Sequence, residues 1–184
     1  MRFRPEKIDE DEVDFDRFLE YNELSPSCLV WKNRPLSEFR TKTAYETFHI
    51  RYAGETAGSL DTYKGYPRWR VNFNHRFYAA SRIIHILKIG LIPVGMEVDH
   101  KDCNSANNKV SNLRLATHGQ NQANSKAWGK LGIKGVQQVG KKFVAHIYED
   151  GLVRNIGRFD TPEEANAAYM AAAYDIHGEF ARAK

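Results

Sequence analysis

The hydrophobic pattern of this chain changes period several times. "YPRWRVNFNHRFYAAS" (66–81) holds two runs of alternating apolar and polar residues split at Asn74-His75, which predicts a β-hairpin. "SRIIHILKIG" then switches to helical spacing: Ile83, Ile84 and Leu87 form one apolar face, and Gly90 is placed to end it. "CLVWK" and "GMEVDH" predict short strands, and "LRLA" a returning one. Thr117 with Gln120 three residues on is a capping box, predicting a helix from there through about Ala127. Residues 33–62 carry no clear period. The head, up to Phe15–Leu19, is expected to be mobile or loosely helical.

Past the glycine-punctuated "KAWGKLGIKG" the pattern differs. "KGVQQV", "KKFVAHIYE" and "LVRNIGRF" predict three strands joined by tight turns at Val139-Gly140 and Asp150-Gly151. In the middle strand Phe143, Ala145 and Ile147 share one face, and Val144, His146 and Tyr148 the other. "TPEEANAAYMAAAYDIHG" is the clearest helix: Thr161 caps it, Pro162 takes the first position, Glu164 closes the box and Gly178 ends it. The expected organisation is a segment at 1–24, a domain at 25–128 with its core motif at 96–127, and a small domain at 132–184.

Charge sharpens this division. Residues 1–24 hold nine acids against four bases, whereas 64–142 hold fourteen Lys and Arg against three acids. Basic density of that kind points to a polyanion, because each phosphate it neutralises releases counterions. Arg68 and Arg70, beside Tyr66 and Trp69, form a basic-aromatic cluster able to grip duplex; alternation equally allows Trp69 to be core. The apolar run near "IIHILKIGLIPVG" is broken by His85, Lys88 and Pro93, so no membrane span is expected. Two cysteines without ligand spacing, and a start without an apolar leader, lead to an expectation of a cytoplasmic protein.

"VDHKDCNSANNKVSNLRLATHGQNQAN" (98–124) packs six asparagines behind an Asp–His pair. Asp99 and His100 end a strand and so point to opposite faces. If the capped helix crosses that hairpin, the Asp99 carboxylate and the Asn121 amide oxygen can converge on one cation. Two hard oxygen donors suit Mg²⁺ or Mn²⁺ that keeps waters and picks up a phosphate. His100, on the other face, could take a proton from water. Asn104, Asn107 and Asn108 are expected to shape the loop, and Asn112 to brace it through bonds to backbone. A plain turn built on asparagine is the competing reading of the same residues.

The stretch resembles the HNH motif of phage and intron-borne homing endonucleases. The DH pair, the D-x-N turn, "NN", "NLR", "AT" and "N-x-x-N" fall in that family's order. The upstream hairpin and helix, and "YNELSPSCLVWK", are similar to segments that precede the motif. The resemblance implies a ββα-metal nuclease fold with His100 as general base. It further implies Asp99 and Asn121 as ligands of one Mg²⁺ (or Mn²⁺), with Asn112 as the central structural member of the site. Ser81 stands where relatives have His, and Cys103 where they commonly have Gly.

The C-terminal part resembles an AP2 DNA-binding domain in "KFVAHI", "IGRFDTPEEA" and "HGEFA". The implied fold is α+β: the nuclease domain plus a three-stranded antiparallel sheet with one packed helix. The implied activity is metal-dependent hydrolysis of double-stranded DNA, as nick or double-strand break, in a host cell's cytoplasm if phage-encoded. No membrane and no obligate protein partner are expected. Expected DNA contacts are Arg68, Arg70, Arg76 and Arg82 in the first domain. In the second they are Gln137, Lys142, His146, Tyr148 and Asn155, with Lys134 and Arg154 touching phosphates. The alternative function is a DNA-binding regulator that has lost catalysis.

Overall fold

The computed structural model describes residues 13–63, 65–73, 75–127, 131–149 and 152–182. The acidic head up to residue 12, Asn74 of the first hairpin turn, part of the glycine-punctuated stretch and the Asp150-Gly151 turn lie outside those residues. Contacts divide the chain into two units, 1–94 with 104–113, and 95–103 with 114–184.

The first unit begins with β1 (Leu19–Tyr21) paired antiparallel to β2 (Leu29–Trp31). The head was expected to be mobile or loosely helical up to Phe15–Leu19; of the residues described there, 16–18 form a turn and Leu19 opens the strand. Leu19 and Leu29 are both fully buried, and hydroxyls of Ser25 and Ser27 bond Leu29 O at 2.9 and 3.0 Å, tightening the turn between the strands. Residues 33–62, which showed no period, contain α1 (Lys42–Arg51), capped by Thr41. It buries no residue fully, which explains why no amphipathic stripe announced it.

β3 (Ser59–Tyr63), β4 (Tyr66–Phe73) and β5 (Arg76–Ala79) form an antiparallel sheet in that order. The expected hairpin is its β4–β5 half. α2 (Ala80–Lys88) follows and buries Ala80, Ser81, Ile83, Ile84 and His85. His85 is 1% exposed and its Nδ1 lies 2.9 Å from Gly90 O, so it is a satisfied packing residue. Val71, Tyr78, Ile83 and Ile84 join Phe15, Leu19 and Leu29 among the buried residues of this unit.

The asparagine loop belongs to the same unit. Asn108, 1% exposed, donates to Ser27 O at 3.4 Å, and Val110 N donates to the Tyr21 hydroxyl at 3.2 Å. Asn104 Oδ1 accepts from Ala106 N at 3.2 Å, while Asn112 Nδ2 donates to Asn107 O at 2.8 Å. These asparagines shape and brace the loop, as their sequence context suggested.

In the second unit β6 (Glu97–His100) pairs with β7 (Leu113–Ala116), whose first residue belongs to the other unit, and α3 (His118–Asn124) follows behind the Thr117–Gln120 capping box. Downstream, β8 (Val136–Val139), β9 (Lys142–Glu149) and β10 (Leu152–Phe159) form an antiparallel sheet with β9 central. α4 (Pro162–His177) packs on one face through Ala165, Tyr169 and Ala173 against Val136, Ala145 and Ile147. A short 3₁₀ turn at Gly178–Phe180 ends the described fold. Phe180 packs with Ala116 and Ala123 rather than with the α4 sheet. Among the described residues no helix is long and apolar enough to cross a membrane.

Candidate metal and nucleic-acid site

Alternation along β6 puts Glu97 and Asp99 on one strand face, and Val98 and His100 on the other. α3 meets the acidic face. Asn124 Nδ2 donates to Asp99 Oδ1 at 2.9 Å and to Oδ2 at 3.0 Å. Arg114 Nε, from β7, reaches Asp99 Oδ2 at 2.9 Å, and the pair is 12% and 4% exposed. Removing one partner from so buried a pair typically costs about 3–5 kcal/mol. One helical turn before Asn124, Asn121 donates Nδ2 to Glu97 Oε2, while His118 Nδ1 lies 2.9 Å from Glu97 Oε1.

The structure thus places Asp99 and Asn121 on one strand–helix interface, each with a nearer partner than the other. Glu97, Arg114 and Asn124 were missed. Glu97 could have been found by parity, since it sits two residues before Asp99. Asn124 needed the pitch at which the helix crosses the strand, which sequence periodicity does not give.

Among the described residues no three His, Cys, Asp or Glu side chains form a metal-holding group. Each of the two candidate ligands nevertheless keeps an oxygen acceptor of the kind a hard cation takes. A carboxylate has about four acceptor positions; Arg114 and Asn124 use three on Asp99, leaving one on Oδ1. Asn121 commits its nitrogen to Glu97, leaving its amide oxygen to serve as a ligand.

The backbone of His100 is held from two sides: its carbonyl accepts from Cys103 N at 2.8 Å and from Asn124 Nδ2 at 2.8 Å. Cys103, which stands where relatives commonly have Gly, has its Sγ against Asn124 O and 2.7 Å from Arg182 Nη1. Its backbone takes the left-handed conformation, φ 59°, which explains why Gly is at home in that position.

Lys134, expected to touch phosphate, is engaged within the chain. Its Nζ donates to the carbonyls of Gln122 at 2.7 Å, Ser125 at 2.8 Å and Ala123, where α3 ends. These are the orphan acceptors of a helix C-terminus, a natural cation site. Burial pushes the Lys134 ammonium down from 10.5 to about 8, with Cys103 opposing the fall and Arg182 adding to it. The buried charge therefore costs stability below about pH 8, and that cost fades as pH rises toward 10.5. Wild type should gain stability relative to Lys134→Met between those limits, read from urea midpoints at either end. A difference that stays constant would show that Lys134 does not titrate there.

The sheet residues divide by register. His146 stands opposite Asn155, Tyr148 opposite Val153 and Gln137 opposite Val144, so Gln137, Lys142, His146, Tyr148 and Asn155 share the face away from α4. Lys142 is ion-paired to Asp160. Arg154 stands opposite Ile147, on the α4 side, and reaches Glu149 at 3.5 Å. A β-bulge between Asn155 and Gly157 reverses parity and brings Arg158, opposite Val144, onto the open face instead.

In the first unit Arg68 and Arg70 lie side by side with Asp61 between them, at 3.5 and 3.1 Å. Arg76, opposite Phe73, is on the other face of that sheet, and Arg82 is on α2. The two arginines of the expected cluster, Arg68 and Arg70, thus share one face of the sheet.

Residues 78–123 match the family model described as HNH endonuclease. A protein of Acanthamoeba polyphaga mimivirus, described as uncharacterized HNH endonuclease L560, is 36% identical over 119 residues, 64% of this chain and 61% of its own length. The chain thus spans about three fifths of that relative. No solved structure matches significantly. The segment that carries Asp99, His100, Asn112 and Asn121 is the segment in which this chain is similar to HNH endonucleases.

Proposed function

We propose that the chain is a metal-dependent, homing-type endonuclease that hydrolyses phosphodiester bonds in double-stranded DNA. The observation that carries this reading is the strand–helix interface at Asp99, with His100 next to it on the opposite strand face, inside the matched segment. Asp99 and Asn121 would hold one Mg²⁺ or Mn²⁺ through oxygen. Such an ion, when bound, stabilises the charge on the phosphate and on the departing oxygen. His100 accepts the proton of the attacking water through its imidazole. Asn112 fixes the loop, through Asn107 O.

In the same reading, the C-terminal sheet is an AP2-like DNA-binding surface. Support comes from its open face, which offers Gln137, His146, Tyr148, Asn155 and Arg158 for contact with duplex. Arg68 and Arg70 would add phosphate contacts. A single site cuts one strand per encounter, so a monomer nicks.

The regulator alternative draws on one observation: Asp99 is already neutralised by Arg114. A supercoiled-plasmid assay separates the two. Nicking or linearisation in Mg²⁺ or Mn²⁺, blocked by EDTA, is the expected result. Duplex binding with no cleavage, under either ion and on DNA containing the bound sequence, would establish the regulator.

A further inference from the structure

Arg114 makes more contacts than a residue that merely balances Asp99 requires. Its Nε meets Asp99 Oδ2 at 2.9 Å. Its Cζ lies 3.7 Å from the centroid of the Phe180 ring, within cation–π range. Its Nη1 lies 3.4 Å from Glu179 O and 3.5 Å from Glu179 Oε2. A planar guanidinium held on its face and along its edge has one orientation, which a lysine could not reproduce. Phe180 is itself 8% exposed and packed on Ala116 and Ala123, from β7 and α3. Glu179 is 76% exposed, so the ring is the stronger of the two supports.

We propose that Arg114 is a positioning residue that shares Asp99 with the cation, and that the 178–180 turn sets how firmly it does so. The inference rests on the metal reading above. Arg114 aims the carboxylate and at the same time places a permanent positive charge against the group that would hold the ion. Like charges a few ångströms apart in a poorly solvated site repel strongly. The site therefore binds its ion more weakly than the bare carboxylate would, and holds it in one geometry. The C-terminal turn becomes a working part of the nuclease motif: whatever disturbs residues 178–180 changes the metal affinity some 80 positions earlier in the chain, at Asp99.

The test uses the full chain and Mn²⁺ titrations followed by electron paramagnetic resonance, with kcat and KM for plasmid DNA measured separately. Arg114→Gln is expected to bind Mn²⁺ about tenfold tighter while kcat falls and KM holds. That combination is opposite to simple loss of structure, which weakens both. Arg114→Lys keeps the charge and should stay nearer the wild-type Mn²⁺ affinity. Phe180→Leu keeps an apolar side chain but removes the ring face, and should shift Mn²⁺ affinity in the same direction by a smaller factor. If Arg114→Gln fails to fold, the Phe180→Leu titration decides. Unchanged or weaker Mn²⁺ binding by folded variants overturns the proposal and leaves the metal reading intact. Failure of the wild type to bind Mn²⁺ overturns both.

Discussion

Replacing His100 with alanine is expected to slow plasmid cleavage about 10²–10⁴-fold, the usual contribution of a positioned general base. The variant should fold, because the His100 carbonyl, which the substitution keeps, accepts from Cys103 N and Asn124 Nδ2. Asp99, Asn124 and Arg114 keep their mutual contacts, so Mn²⁺ binding should persist. The comparison is therefore a clean one: duplex binding and metal binding near wild type, with cleavage lost. A variant that retains more than about a tenth of the rate would remove His100 from the proposed chemistry.

The second large effect is on stability. Gly135 adopts φ +66°, and a Cβ built there would lie 2.1 Å from Tyr169 Cδ2 and 2.8 Å from His146 O. Tyr169 is 4% exposed in the core that α4 builds on the sheet, so the ring has nowhere to retreat, and the second obstacle is backbone. A left-handed conformation costs a non-glycine residue about 1–2 kcal/mol. Overpacking adds about 1–3 kcal/mol. Gly135→Ala should thus destabilise by roughly 3 kcal/mol, seen as a lower urea midpoint with an unchanged slope. A loss below about 1 kcal/mol would mean that the ring and strand can shift, contrary to the packing described.

Much of this architecture was legible where local chemistry decides it. Both capping boxes, at Thr117 and Thr161, open helices as expected, and the parity of β9 correctly separated Ala145 and Ile147 from His146 and Tyr148. What stayed hidden depends on tertiary geometry. α3 stops at Asn124 rather than near Ala127, with its terminal carbonyls taken by Lys134 from farther down the chain. The bulge after Asn155 inserts one residue and moves Arg158, not Arg154, to the open face. Strand β1 reads as the end of an acidic head until Leu29 is brought opposite Tyr21. At the candidate site, the identities of Asp99, His100 and Asn121 stood out, but Asp99's immediate neighbours, Asn124 and Arg114, required the folded chain.

The separation in sequence between Arg114 and the Glu179–Phe180 turn has a bearing on how this protein is made. The loop that anchors Asn108 on Ser27 can order once the chain has been synthesised to residue 113, whereas Arg114 must wait 65 residues for Glu179. At ribosomal speeds that is a delay on the order of 3–13 s. During that interval a nascent chain already carries the Asp–His pair and much of its basic charge, but without the clamp that orients Asp99. On the proposed function, a chain assembled in this order would acquire its full cutting geometry only after the sheet proposed to hold DNA has emerged. Ribosome-stalled chains ending near residue 150 lack this contact together with β10 and α4, whereas chains extended well past residue 182 carry all three, and only the latter are expected to cleave plasmid at the full rate.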